Sequence, residues 1–291
     1  TTSLLATTVT APPADLEWSL RELGPALTAR TPGGSRILGV HLEGPFLSPH
    51  RLGAQPDHAR PLDPGELARL QALAPIRLIT LAPEFPSNRA AIRDLRAQGI
   101  RVQLSHTDAT YEEAVEALAQ GASGFTHLFN AMSGLHHRKP GVVGAALAQA
   151  TFAEIIPDLL HVHPGAIRAA LRAIPGLYCV TDATAAAGMP DGDYALGRQE
   201  VTKCLGAVRL ADGTLAGSAL TMDQALRNLV GPLGLSLPEA SRRLSTLAAE
   251  HLGIVDRGRL EPGAWADAVV LDANLKVRRV MIEGELLDLD A

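Results

Sequence analysis

Four residues of this 291-residue chain combine a type and a spacing that core packing does not require. Glu43 ends the apolar run ILGVHLE, His106 ends IRVQLSH, His127 lies in GFTHLFN and Asp182 ends LYCVTD. Two imidazoles and one carboxylate form a donor set suited to a divalent cation, with a position left open for water. A second carboxylate, Asp182, is placed to take a proton from water that such a cation has acidified to a pKa of about 7. The two histidines are 21 residues apart, one strand–helix–strand step, so they belong on neighbouring strands facing one mouth. Each residue alone has a plain explanation: a hydrogen-bonded core histidine, a loop carboxylate, a turn cap. Four of them at four strand ends favour the metal, because an acid that closes an apolar strand is costly unless something positive meets it.

Such residues need elements that converge. Apolar runs at 37–43, 76–82, 100–106, 124–130, 152–161 and 177–182 predict strands. Helical patterns lie between them at 64–74, 87–98, 110–120, 141–150 and 164–173. Pro64 and Pro164 mark helix starts, Gly99 and Gly121 mark ends, and Thr110 with Glu113 reads as a capping box. Strands this apolar, each followed by one helix, predict parallel βαβ units covered on both faces. No G-x-G-x-x-G follows a strand, which leaves a dinucleotide-binding sheet with little support. Polar residues gathered at C-terminal strand ends favour a (β/α)8 TIM-like barrel. Residues 192–217 read as a β-rich linker before a helix at 221–230, and a last helix spans 237–250. The expected domains are therefore a barrel over 1–252 and, over 253–291, part of a small β-sandwich-type domain at the C-terminal end.

Bulk properties exclude several classes. A net charge of −5 and a pI near 6.0 argue against a nucleic-acid or anionic-membrane binder. No run approaches the length of a membrane-spanning helix, and TTSLLATTVTAP is strand-like without the basic start of a signal peptide. Two cysteines, Cys179 and Cys204, build neither a disulfide framework nor a cysteine zinc motif, which fits a cytoplasmic protein.

Three further segments stand out more weakly. HHRKPG at 136–141 puts Arg138 beside Lys139 just after the His127 strand, suited to a phosphate or carboxylate, although a solvated basic loop explains it as well. His161 in DLLHVH is a second candidate for an anionic group. GTLAGS at 213–218 offers backbone amides beside a mobile glycine pair.

HLEGPFLSP, SHTDATYEEA, THLFNAMSGLHHRKPGVVGAAL, VTDATAAAGMPDGDY and GTLAGSALTM follow one another in this chain. In that order they resemble the N-acetylglucosamine-6-phosphate deacetylases of the amidohydrolase superfamily, from about residue 38 to LEPGAWADAVVLD. The resemblance implies metal-dependent release of acetate from N-acetylglucosamine 6-phosphate, in amino-sugar catabolism. It implies Glu43, His106 and His127 as metal ligands and Asp182 as the acid/base. It implies substrate contacts from Ala54, Gln55, Asn130, Ala131, Asp158, Leu215, Ala216 and Gly217, with Arg138 and His161 on the phosphate. It further implies zinc, iron or another divalent cation, one ion or two, and a homodimer in which Arg138 serves a neighbouring subunit. There are three departures. Gln55 stands where many members carry His, Asp158-Leu159-Leu160-His161 replaces D-G-x-H, and the family's first barrel strand is expected ahead of residue 1. Another amino-sugar-phosphate deacetylase, a dihydroorotase-like cyclic amidase and an inactive fragment stay open as alternatives.

Overall fold

A computed structural model of the protein describes residues 1–288. Its first part is a regular strand–helix alternation. It opens with β1 (Ser3–Thr7), α1 (Pro13–Thr28), β2 (Arg36–Glu43), α2 (Pro64–Leu73), β3 (Ile76–Leu81) and α3 (Pro86–Ala97). There follow β4 (Arg101–Leu104), α4 (Tyr111–Gln120), β5 (Gly124–Phe125), α5 (Gly141–Gln149), β6 (Phe152–Ile155), α6 (Pro164–Ala173) and β7 (Gly176–Cys179). Helix starts follow the local chemistry. Asp63 accepts from the Glu66 amide with Pro64 in the first turn, and Thr110 and Glu113 close a reciprocal capping box. Gly121 ends α4 in a left-handed conformation.

Strands β1 to β5 pair in chain order, all parallel, and β6 pairs with β7 in the same sense. The Leu128 amide donates to the Glu154 carbonyl at 2.8 Å and carries the sheet across from β5 to β6. The sheet curls, because Gln103 Nε2 on β4 reaches Tyr178 OH on β7 at 2.7 Å. Leu42, Ile79, Val102 and Leu104 are fully buried beneath the helices, with Leu16 and Leu20 of α1 and Ile92 of α3 in the same core. Helix α1 has no counterpart in the predicted elements, although Pro12-Pro13 and leucines at 16, 20, 23 and 27 carry its signature.

The predicted strands overshoot. The run at 124–130 is strand only at Gly124–Phe125, and 152–161 stops at Ile155 ahead of Pro157. The helix expected at 237–250 breaks at Ser245, whose φ of −141° and ψ of −69° leave helical space. Between β7 and the last helices, β8 (Gly192–Leu196), β9 (Gln199–Cys204), β10 (Ala207–Arg209) and β11 (Leu215–Ser218) form an antiparallel sheet, so the linker is a folded unit. Helices α7 (Met222–Val230), α8 (Leu237–Leu244) and α9 (Thr246–Leu252) follow.

The chain then forms an antiparallel sheet of β12 (Ala268–Leu271), β13 (Val277–Ile282) and β14 (Glu285–Asp288). Residues 289–291 of the expected β-domain lie outside the described residues. An ion network pins this sheet to the start of β2. Glu283 accepts two bonds from the Arg36 guanidinium, both at 2.8 Å, and Arg257 joins it while pairing with Asp267 at 2.6 Å. No helix among the described residues is long and apolar enough to cross a membrane.

Candidate active site

Glu43 is the last residue of β2, while His106 and His127 each lie two residues past β4 and β5. All three side chains are buried at about 5% exposure, which excludes ordinary surface roles. Glu43 Oε1 lies 3.1 Å from His106 Nε2 and 3.1 Å from His127 Nε2, and the two nitrogens are 3.1 Å apart. Ligands about 2.0 Å from a tetrahedral ion lie roughly 3.3 Å from one another, so this triangle fits one ion with little movement. Among the described residues it is the one group of three or more His, Cys, Asp and Glu side chains close enough to hold a metal.

The protonation pattern agrees. His106 Nδ1 is 2.8 Å from the Arg51 carbonyl, which can only accept. The ring proton of neutral His106 therefore sits on Nδ1, and the Nε2 lone pair faces the Glu43 carboxylate. Two acceptors aimed at each other call for a cation between them. A proton on His127 meets the same need. Burial works against a charged His127, but its hydrogen bond to Glu43 and the charges of Glu43, Asp182 and Glu154 raise its pKa to about 9. Glu43 is destabilised by burial, yet the imidazoles of His106 and His127 against its carboxylate hold its pKa well below the usual range.

Asp182 lies three residues past β7 and is within electrostatic reach of the cluster. Burial and then the Glu43 charge raise its pKa. Strand β11 docks beside it: the Ser218 amide donates to the Asp182 carbonyl at 2.7 Å, and the Thr184 amide to the Ser218 carbonyl at 3.0 Å. Gly217 sits so close that a Cβ would lie 2.9 Å from the Asp182 carbonyl and 2.7 Å from Thr184 Cγ2. Its neighbour Leu215 is half-buried, and Ala216 is buried in a small core with Ala186, Val201 and Val208, against which Ala54 packs.

The remaining sequence-selected residues divide into those at the cluster and those away from it. Gln55 Nε2 approaches Glu43 Oε1 at 3.4 Å, and Gly53, two residues before it, packs near the His106 ring and Ala131. Asn130 uses its amide group on the His127 carbonyl at 3.1 Å. Asp158 is committed to the protein: Oδ1 accepts from the Leu160 and His161 amides, and Oδ2 lies 2.6 Å from His161 Nδ1. That leaves His161 Nε2 as the ring nitrogen without a hydrogen-bond partner among the described residues. Leu159 adopts φ +67°, the left-handed region that favours glycine, and packs against the main core. Arg138 is exposed on a tight turn bridged by His136 and Lys139, with no acidic partner among the described residues.

One feature was not anticipated from the sequence. Beneath the cluster runs a buried polar chain: His41 to Thr80 at 2.8 Å, Thr80 to Thr126 at 2.8 Å and Thr126 to Gln103 at 2.7 Å. It continues from Gln103 to Tyr178, Glu154 and His251. The available signal was one polar residue inside each of several successive apolar strands.

A model of the amidohydrolase family matches residues 33–287. The chain belongs to the amidohydrolase family. Among relatives of this amidohydrolase, an N-acetylglucosamine-6-phosphate deacetylase of Lysinibacillus sphaericus is 41% identical over 98% of this chain and 75% of its own length. An N-acetylgalactosamine-6-phosphate deacetylase of Escherichia coli O157:H7 is also 41% identical, over 98% of this chain and 77% of its own. Among solved structures, a Mycobacterium smegmatis N-acetyl-D-glucosamine-6-phosphate deacetylase mutant in complex with N-acetyl-D-glucosamine-6-phosphate superposes with a TM-score of 0.91. That structure is 38% identical, covering 98% of this chain and 76% of its own.

Proposed function

We propose that this amidohydrolase removes the acetyl group of N-acetylglucosamine 6-phosphate, leaving glucosamine 6-phosphate and acetate, with a divalent cation held by Glu43, His106 and His127. The observation that carries the reading is the triangle of donor atoms 3.1 Å apart with Asp182 beside it, in a chain 41% identical to a deacetylase of that substrate. A mixed nitrogen and oxygen set suits zinc first and iron next. Such an ion supplies a Lewis acid and lowers the pKa of water.

The chain's own residues do the rest. Asp182, with its proton affinity raised, takes a proton from the attacking water and returns it to the departing amine. In the reading, Arg138 and His161 hold the phosphate, Arg138 from a neighbouring subunit of a homodimer, so that remote binding energy orients the amide. Ala54, Gln55, Asn130, Ala131, Leu215, Ala216 and Gly217 surround the sugar, and Asp158 orients His161. The parallel sheet is read as an eight-stranded barrel domain, residues 1–252, whose first strand is not among the seven, since β1 and β7 each present an edge without a ladder partner among the described residues. Residues 253–291 are part of the small β-domain, and the location is cytoplasmic.

The test is acetate release by purified protein from N-acetylglucosamine 6-phosphate, with zinc and with a chelator. Zinc-dependent release of acetate is expected. Because the galactosamine enzyme is equally similar, the same assay includes N-acetylgalactosamine 6-phosphate; faster turnover of that epimer would reassign the substrate, and no release from either would sink the reading.

A further inference from the structure

Gln55 stands between a backbone donor and a candidate metal ligand, and that donor fixes which way its amide faces. The Thr10 amide can only donate, and it lies 2.7 Å from one end of the Gln55 side chain, so that end is the oxygen. The amide nitrogen then faces Glu43 Oε1 at 3.4 Å, the oxygen that also meets both histidine nitrogens. The loop that carries Gln55 grips the second ligand as well. The Ser48 amide donates to the His106 carbonyl at 2.8 Å, and the Arg51 carbonyl accepts from His106 Nδ1 at 2.8 Å. The Arg51 guanidinium in turn holds Asp108, two residues beyond His106, with bonds of 2.9 and 2.7 Å. One loop, residues 48–55, thus supplies outer partners to two of the three ligands.

We propose that Gln55 is a positioning residue for Glu43, and that the loop from Ser48 to Gln55 sets cation affinity in addition to facing the sugar. The proposal rests on the reading of Glu43, His106 and His127 as a cation site. Holding the carboxylate at the edge shared by His106 and His127 keeps the three donors converged before an ion arrives. Outer partners of this kind change metal affinity by roughly 10- to 100-fold when removed, and a bond of 3.4 Å belongs at the lower end. A primary amide also stays neutral, so it orients Glu43 without placing a competing positive charge in the ion's position.

The experiment is zinc affinity by competition with a chromophoric chelator, without substrate, for the wild type, Gln55→Ala and the volume-matched Gln55→Met. Both variants are expected to bind zinc about tenfold more weakly; each also leaves the Thr10 amide unpaired, so the zinc-free protein should melt a few degrees lower, and affinity is read well below that transition. In the acetate assay, raising zinc to saturation should recover the part of the lost rate that comes from unfilled cation sites, whatever KM the variant shows. Unchanged zinc affinity overturns the proposal, whether or not KM rises. So does a weaker zinc site that excess zinc cannot restore. Because affinity is read without substrate, a protein that binds zinc as expected but releases no acetate would overturn the proposed function and leave this inference standing.

Discussion

Glu154 gives the sharpest test of the buried polar chain. Its carboxyl lies on β6 at 5% exposure, and one oxygen accepts from Tyr178 OH at 2.8 Å and Gln103 Nε2 at 3.2 Å. Burial raises its pKa to about 7, with the Glu43 charge adding and the Tyr178 bond and the His127 charge opposing. The folded state therefore holds this proton more tightly than the unfolded chain. Its stabilisation is complete below the ordinary value of 4.5 and is lost as pH rises through about 7. At roughly 1.4 kcal/mol per pH unit, the group withdraws about 2–3 kcal/mol between pH 5 and pH 8. Glu154→Gln removes the titration while keeping the shape and an acceptor oxygen. Urea unfolding of wild type and variant, in a chelator so that no ion competes, measures the difference at each pH. The variant should gain about 2–3 kcal/mol on the wild type across that range, and other titrating groups cancel in the comparison. A difference constant to within about 0.5 kcal/mol from pH 5 to pH 8 would refute the assignment of a protonated Glu154.

Three further outcomes follow from the geometry. Glu283, held near a pKa of about 2 chiefly by its Arg36 bonds against partial burial and then by Arg257, contributes stability above about pH 4.5 that is lost as pH falls toward 2. Glu283→Gln should cost about 1–2 kcal/mol at pH 7 by chemical unfolding, the full shift being discounted for solvent screening, and the gap to wild type should close only as pH falls through about 2. Asp182→Asn should lower kcat by about 10²- to 10⁴-fold with zinc content unchanged, read by acetate release and metal analysis; a full rate would remove Asp182 from the proton path. Arg138→Ala should raise KM for the phosphorylated sugar by roughly tenfold or more and leave the unphosphorylated sugar unaffected, since a guanidinium–phosphate contact acts only where phosphate is present.

The residues that converge were legible because each is a lone polar group in or at the end of an apolar run, and one strand–helix–strand step places His106 beside His127. The helices with Pro, Thr and Gly punctuation were legible for the same local reason. What escaped is non-local. Glu283 reaches Arg36 across 247 residues, and Gln103 reaches Tyr178 across 75. No short window holds both partners. Gln55 is intermediate: its position after the EGP turn drew attention, but only the Thr10 amide, 45 residues upstream, decides where its nitrogen points.

The early ends of the strands before His106, His127 and Asp182 have a common cause in the site itself. His106, His127 and Asp182 adopt φ values of +47°, +32° and +51°, in or near the left-handed region, which costs a non-glycine residue roughly 1–2 kcal/mol. A strand sends successive side chains to opposite faces. A left-handed residue at the strand end breaks the alternation and re-aims the side chain. The strain persists because neighbouring loops lock each turn. Thr107 N–H bonds the Ala131 carbonyl at 3.0 Å, Asn130 Nδ2 bonds the His127 carbonyl at 3.1 Å, and Ser218 N–H bonds the Asp182 carbonyl at 2.7 Å. Glu43 serves from the last residue of β2, whereas at His106, His127 and Asp182 the apolar pattern extends the strand to a residue that the backbone has already turned out of it. Glycine at these positions would relieve the strain and forfeit the side chain, so the strain is borne where imidazole and carboxylate are needed.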